Sequence, residues 1–516
     1  MANSVEVVRE YCIVSGAEET LLTSARRPVV LLTRKSDAVL PAAIAPGVGT
    51  LGFMLPYTPL HQLLLEDLDR PHVMTSGNVS DEPICYEDAD ARTRLHSIAD
   101  YLLLHDRRIH MRTDDSVVRA APCQTEVGSP QSEIVLRRAR GYAPAPVTVA
   151  FKFAREILAC GAELKNTFCL ARARHAYVSH HIGDLENLET LRSFEQGIEH
   201  FKRLFQLRPE IVAHDLHPEY LSTKYALALG EEFEKVGVQH HHAHVASCMA
   251  DNQIEGEVIG VAMDGLGFGA GAKMWGGEFF VADFVEAERV AHLDYVPMPG
   301  GARAVREPWR MAAVYLQRAF GDDFQKLDVP FVRELDRRAW ATLKSMTKSG
   351  TNSPGTSSMG RLFDAVSALV GLRGTVNYEG QAAIELEAIA DSTCEESYEF
   401  GFDAGGSIIK ADTVIRNAVE DILGGRPARE VSAKFQTAVA RLITAVARRL
   451  REERRLNRVV LSGGVFQNMF LLGRASRMLR REGFEVFTHG RVPPNDGGIS
   501  FGQAAVATAR LAAGRI

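Results

Sequence analysis

"MDGLGFGAGAKMWGGEF", from Met263 to Phe279, sets six glycines between two apolar stretches. What leads into it, "EVIGVAMDG" (257–265), reads as an apolar strand running into a turn, and "WGGEFFVADF" (275–284) reads as the strand that returns. Glycine lets backbone N–H groups come close to a phosphate. The spacing is neither a Gly-x-Gly-x-x-Gly opening a helix nor a P-loop. It is a strand, a glycine turn and a strand.

Actin-like and sugar-kinase-like folds hold phosphates with that arrangement. Two other stretches suit the same role. "LSGGVFQN" (461–468), within "NRVVLSGGVFQNMFLLGRASRML" (457–479), is a strand and a glycine pair ahead of a helix whose N-terminus can face a nucleotide. "CGAELKNTF" (160–168) is a third candidate. One glycine turn is more often only a turn; three in one chain predict a nucleotide cleft. Upstream, "PVVLLT" (28–33) and "HVMTSGN" (72–78) read as short strands and "PLHQLLLEDL" (59–68) as a helix. The Ala-Pro stretch "RARGYAPAPVTV" (138–149) reads as a linker. After it the pattern is strand-rich, then helix-rich, then α/β again. A Ser/Gly/Thr-rich loop, "TKSGTNSPGTSS" (347–358), interrupts the middle. The expected fold class is α/β in two regions.

The 516 residues are enough for several well-buried cores. A net charge of −6 argues against nucleic acid or an anionic membrane as the main partner. The basic run "ARRLREERRLNR" (447–458) mixes in acids at helical spacing and reads as a solvated helix face. The first residues show no secretory signal, and no apolar run approaches the ~20 residues of a membrane span. Seven scattered cysteines, Cys12, Cys85, Cys123, Cys160, Cys169, Cys248 and Cys394, form no Cys-x-x-Cys. That fits a reducing cytoplasm and argues against a disulfide framework.

"VQHHHAHVAS" (238–247) carries four histidines in five positions. His240 and His244 are four apart, so on a helix they share one face and can close on one metal ion. His241 and His242 point elsewhere, as supporting or surface groups. The alternative is a His-rich helix whose rings only bond backbone. Two ligands do not hold an ion, so carboxylates are needed. Asp264 closes an apolar strand, and Asp496 sits in the tight turn "PPNDGGIS" (493–500). Two His and two Asp with an open position suit Zn²⁺ or Fe²⁺. The bland reading of Asp496 is a turn residue bonded to nearby backbone.

Taken together, "HHHAH", "DGLGFG", "REPWRMA" (306–312), "SSMGRLFDAV" (357–366), "YEGQAAIELE" (378–387), "LSGGVFQN" and "PNDGGIS" resemble the C-terminal, threonylcarbamoyl-transferase-like (Kae1/TsaD-type) domain of the hydrogenase maturation carbamoyltransferases called HypF. Upstream, "TLGFMLPYTPLHQLLL" (50–65), "MTSGNVSDEP" (74–83), "DDSVVR" (114–119) and "LRRARGY" (136–142) resemble that family's YrdC-like domain. The resemblance implies a partial YrdC-like α/β domain over 1–147. It implies a two-lobed actin/sugar-kinase-like domain over 152–516, with a cleft near 264 and 463–496. It also implies a reaction. Carbamoyl phosphate and ATP, with Mg²⁺, yield carbamoyl-adenylate, which passes to the second domain. The carbamoyl group then goes to the C-terminal cysteine of a HypE-type partner and becomes the cyanide ligand of a nickel–iron site. Carried over by motif, His240, His244, Asp264 and Asp496 match metal ligands. Gly463, Gly464 and Asn468 match nucleotide contacts, and Asp364 the ribose. Ser76, Asn78, Ser116 and Arg138 match the YrdC-type ATP site. No cysteine of this chain sits in a nucleophile motif, which suits an acceptor thiol on a partner.

The chain departs from the family pattern at its start. An acylphosphatase-like domain, Cys-x-x-Cys zinc modules and the first half of the YrdC-like domain, with its basic Lys-x-Arg element, have no counterpart here. The expectations are uncovered apolar surface or a bare strand edge in the first region, and little adenylate formation by the chain alone. Two other readings stand beside the first: a nucleotide-binding scaffold without turnover, and a carbamoyltransferase acting on a small molecule, whose known examples carry the two domains in the opposite order.

Overall fold

A computed structural model of the chain describes residues 1–516 except 42, 67–69, 81 and 122–132. Cys123 and the end of the 59–68 stretch lie outside the described residues. The first region is a four-stranded sheet in the order β2-β1-β3-β4, from β1 (Val29–Thr33), β2 (Thr50–Phe53), β3 (Val117–Ala120) and β4 (Glu133–Arg137). β1 alternates along its length, with Val30 and Leu32 buried and Thr33 exposed, as a half-covered strand does. The Val5–Tyr11 and Gly16–Thr23 helices cover that face; Ser15 and Glu18 form a reciprocal cap at the start of the second. The "HVMTSGN" stretch is not a strand. It runs as irregular chain with Val73 78% exposed, because no neighbouring strand satisfies its backbone.

The expected linker is packed rather than loose. Within 138–149, Arg138, Ala139 and Tyr142 are buried, and the chain passes straight into β5 (Val147–Ala159). β5 pairs antiparallel with β6 (Cys169–Val178) and parallel with β7 (Ile211–Asp215), which pairs parallel with β8 (Glu234–Val238). This gives the second sheet, β6-β5-β7-β8.

The third sheet is built on β9 (Val258–Phe268), β10 (Met274–Ala282), β11 (Ala287–Leu293), β12 (Val296–Pro297), β13 (Gly355–Thr356), β14 (Gly401–Phe402), β15 (Ile408–Lys410), β16 (Arg458–Ser462) and β17 (Glu485–Phe487). Its main order is β14-β15-β11-β10-β9-β16-β17. The glycine-rich stretch is a hairpin, as its sequence suggests, and β9 continues through Gly265 and Gly267 to pair Phe268 with Met274. β16 lies parallel to β9, with Ser462 opposite Ala262, which brings the Gly463–Gly464 turn beside Asp264. Helices Trp309–Phe320, Met359–Leu369 and Ala428–Arg454 cover this sheet around Phe279, Phe363 and Phe435. The second and third sheets are the cores of two lobes. Between them lie the His240–Asp251 helix and the C-terminal Ile499–Ala512 helix. These two helices approach closely at Gly502, where an added Cβ would stand 1.9 Å from the Ala243 carbonyl oxygen.

Among the described residues no helix is long and apolar enough to cross a membrane.

Candidate functional site

All twelve residues of the His240–Asp251 helix are buried, so no face of it meets water. Gln239 caps it, accepting from the His242 N–H (2.9 Å). His240 and His244 project from one face, their ring centroids 5.1 Å apart. Asp264 comes from β9 and Asp496 from the turn before the C-terminal helix. The two His and two Asp offer ligand atoms that all lie within 4.8 Å of one another. His240 Nε2 is 3.6 Å from Asp264 Oδ2 and 3.7 Å from Asp496 Oδ1; His244 Nε2 is 3.7 Å from each. Neither Nε2 has a hydrogen-bond partner although both are buried. Ligand bonds of ~2.0–2.1 Å at tetrahedral angles set neighbouring ligand atoms about 3.3 Å apart. The gaps are therefore too long for hydrogen bonds and close to those around a bound cation.

The electrostatics keep the two carboxylates ionised. Burial raises the Asp264 carboxyl, but His240 and His244 beside it hold it well below the usual carboxylate range. Asp496 is lowered in the same manner: burial opposes ionisation and His240 outweighs it. Burial lowers the two imidazoles, but the neighbouring carboxylates raise them, so protonated rings supply the balancing charge and it is the ligand spacing that fits a metal. The four residues thus fit a divalent metal.

Asp215, at the end of β7, was not singled out by its sequence. It is fully buried, and its Oδ2 accepts from His240 Nδ1–H at 2.8 Å, turning Nε2 toward the two carboxylates. The available signal was an apolar strand closing on an aspartate, "IVAHD" (211–215), the same pattern that exposes Asp264. Of the two readings of His241 and His242, supporting or surface groups, burial excludes the surface one. His241 is buried between Gly267 and Trp275, and His242 Nε2 lies 2.7 Å from the Asp283 carbonyl.

The glycine turn touches the same aspartate. Gly463 has φ +105°, and a Cβ there would stand 2.2 Å from the Met263 carbonyl oxygen, so only glycine lets β16 pass β9 so closely. The Gly464 N–H donates to Asp264 Oδ1 at 2.8 Å. One oxygen of Asp264 therefore holds the turn while the other faces the histidines. Asn468 caps the Met469–Arg481 helix, accepting from the Leu471 N–H and donating to Gln436, so its amide is already engaged. Asp364 is paired with Arg361 at 2.8 Å, and burial pushes its carboxyl up to about 6.

A cavity of about 260 Å³ joins these groups, bounded by Asp264, Arg361, Asp364, Gly464, Asn468 and Asp496. It is not a cleft between the two lobes alone. Leu31, Thr50, Arg119 and Leu136 from the first sheet form its roof, and Arg119 reaches Glu387 at 2.9 Å.

The four residues matched to an ATP site in the first region separate into two pairs. Ser76 and Asn78 line a second cleft of about 300 Å³, opposite Arg112, Arg137 and His180. Ser116 and Arg138 do not turn their side chains into it. Ser116 Oγ donates to the Arg140 carbonyl and accepts from the Ala139 N–H. The Arg138 guanidinium donates to the carbonyls of Val178, Tyr142 and Ala145. Their energetic role here is to fasten 138–145 between the regions. Among the described residues the arginines lining the cleft are Arg137, from the same "LRRARGY" stretch, and Arg112, which lies outside the quoted motifs.

Known proteins match along the same divisions. Residues 152–251 match the family model described as the HypF Kae1-like domain, and 260–503 the Kae1-like carbamoyltransferase domain, second subdomain. Residues 1–139 match the Sua5/YciO/YrdC model, described as telomere recombination. The chain is 38% identical over 525 residues to Carbamoyltransferase HypF of Synechocystis sp., covering 98% of this chain and 66% of that protein. It is 37% identical over 553 residues to HypF2 of Cupriavidus necator, covering 99% and 67%. The chain thus spans about two thirds of the length of these relatives. A crystal structure of full-length HypF in the phosphate- and nucleotide-bound form superposes with a TM-score of 0.93 at 44% identity, covering 99% of this chain and 79% of that one. With both regions matched in the same order and the whole fold shared, the chain belongs to the HypF carbamoyltransferase family.

Proposed function

We propose that this chain performs a two-step carbamoyl transfer for the maturation of [NiFe]-hydrogenase. At the Ser76/Asn78 cleft water releases phosphate from carbamoyl phosphate, and the carbamate oxygen then attacks the α-phosphorus of Mg²⁺-ATP, giving carbamoyl-adenylate as pyrophosphate leaves. The intermediate passes to the Asp264/Gly464 cavity, where a HypE-type acceptor presents its C-terminal cysteine. The observation that carries this reading is that the two clefts adjoin. A third cavity of about 330 Å³ shares Arg137, His181 and Asp184 with the first cleft, and Leu136, Lys165 and Asn495 with the second.

At the first cleft Arg112 and Arg137 offer cations to the triphosphate, beside Ser76 and Asn78; Ser116 and Arg138 support the cleft from behind. At the second, Asp364 accepts from the ribose hydroxyls and the Gly463–Gly464 backbone admits the nucleotide, with Asn468 closing the far side. His240, His244, Asp264 and Asp496 would hold one Zn²⁺ or Fe²⁺. Such an ion supplies a Lewis acid for a carbonyl or phosphate oxygen. In the transfer the acceptor sulfur attacks the carbonyl carbon. The carbon–sulfur bond forms, the bond from that carbon to the phosphate oxygen breaks, and AMP leaves with the electron pair.

Three buried thiols of the chain are poor nucleophiles. Cys160, Cys169 and Cys248 are buried, and burial pushes Cys169 up to about 12 and the other two further. An external thiolate fits that chemistry, and a reducing cytoplasm keeps it free. The test is to incubate the chain with carbamoyl phosphate, Mg²⁺-ATP and a HypE-type acceptor and to weigh the acceptor. One carbamoyl mass on its C-terminal cysteine, absent without carbamoyl phosphate, is expected. An unmodified acceptor beside intact nucleotide binding would favour a scaffold instead.

A further inference from the structure

One glycine loop of the sequence, "CGAELKNTF" (160–168), has so far entered only through Lys165, which lines two of the cavities. It joins β5 to β6 and carries Lys165 in a left-handed conformation, φ +47°. Asp184 holds that conformation by accepting the Lys165 N–H at 2.7 Å. The backbone thus aims the side chain across the groove, where the ammonium pairs with Glu379, just before the Gln381–Ile389 helix. Both members of the pair line the roofed cavity and also the intermediate cavity behind it, so the pair stands in the wall between the two.

Three features distinguish this pair from a structural salt bridge. It is open to solvent, Lys165 to 33% and Glu379 to 40%. Among the described residues Glu379 makes no other side-chain bond than the one to Lys165. The cavity it closes is lined by Arg361 and by the phosphate-turn glycine Gly464, so an anion arriving there meets Lys165 as the cation on the first lobe. A half-exposed carboxylate holds a lysine weakly, and a phosphate offers more charge and more acceptor oxygens.

Building on the two-site reading above, we propose that the Lys165–Glu379 pair is a displaceable latch: the phosphate of an adenylate replaces the Glu379 carboxylate on Lys165, and this exchange parts the wall between the two cavities as the ligand is bound. Glu379 fills the anion position while no phosphate is present, and repels a phosphate until it is displaced.

The experiment uses the full chain with AMP and adenosine as probes, titrated by calorimetry. Neither probe needs carbamoyl phosphate or an acceptor, so absent turnover in the unaltered chain leaves this test intact. Lys165→Met should weaken AMP about 10-fold, the effect of losing one charged hydrogen bond, and leave adenosine unchanged. Lys165→Arg should restore AMP binding. Glu379→Gln should tighten AMP by up to a similar ~10-fold and raise its association rate, since no ion pair has to break. The proposal is overturned if Lys165→Met leaves AMP affinity as it was, or weakens AMP and adenosine equally. It is also overturned if Glu379→Gln leaves AMP affinity unchanged or weakens it.

Discussion

Residues 1–147 and the rest of the chain bury their apolar side chains very differently. Among the described residues, the first region folds around a core of fourteen centred on Val30, Leu32, Val118 and Val135. The two lobes hold far larger cores, with Phe279, Trp340, Phe363, Phe435 and Phe501 fully enclosed. Among the described residues, fourteen of the twenty-three exposed large apolar side chains fall before residue 110, including Leu63, Val73, Tyr101 and Leu103. The first region is thus thinly cored and borrows support. Ile134 of β4 packs into the core of the third sheet, and Arg119 ties β3 to Glu387. The candidate site is thus carried by the two well-cored lobes, while its roof belongs to a region whose own packing is slight.

The sharpest test of that division is the metal. His244→Ala removes a ligand whose elements all lie in the lobes, and should lower metal affinity more than ~100-fold, beyond what outer partners contribute. Asp215→Ala should cost ~10–100-fold by freeing the His240 ring, and His241→Ala much less. Elemental analysis after dialysis against a graded chelator orders the three. Equal metal in His244→Ala and the unaltered chain would remove the site from the lobes altogether.

Next in size is a core truncation confined to the first region. Leu32→Ala deletes a fully buried side chain and should cost about 2–5 kcal/mol. Hydrogen exchange should show 1–147 losing protection while β9, β10 and β16 keep theirs. A uniform loss across all three sheets would mean that the regions unfold as one unit.

The bond between the regions should count for less. Arg119→Ala leaves Glu387 half-enclosed beside the Met469 N–H and should cost about 1–3 kcal/mol. We expect separate thermal transitions for the two regions and faster nucleotide release from the unroofed cavity. A single unshifted transition would show that apolar packing at Ile134 alone joins them.

The smallest effect is a pH step. Asp364 is raised to about 6 by burial, against Arg361, so it is protonated below that value and ionised above. If its ionised form accepts the ribose hydroxyls, nucleotide affinity should fall as pH drops through about 6, and Asp364→Asn should abolish the step. The stability linkage has the opposite sign. A carboxyl raised in the fold costs nothing below its unfolded value and opposes folding increasingly as pH rises toward 6. A nucleotide affinity flat from pH 5 to 7 would assign the ribose to another group.

Much of the lobes was legible because their signals are local. Helical spacing puts His240 and His244 on one face whatever surrounds them, and the helix forms where that spacing places it. The strand–glycine–strand reading of 257–284 holds because apolar runs and glycine turns constrain their own backbone. The first region was less legible. "HVMTSGN" has the composition of a strand, but a strand needs a neighbour, and composition does not say whether one is present. Ser116 and Arg138 show the same limit: their motif says polar, while the partners they bond, the backbone at 139–145 and Val178, are set by packing.

The helix that carries the histidines, the hairpin that carries Asp264 and the glycine pair that lets β16 run beside it were readable from residue order, since each follows from neighbours within a few residues. Long-range packing set the rest: Asp215 steadies His240 across 25 positions, Asp264 divides its two oxygens between Gly464 and the histidines, and Arg119 of the first sheet roofs a cavity by reaching Glu387, 268 residues away. Such contacts join side chains through packing of whole sheets and helices, and no local pattern of residues encodes which surface another surface will meet.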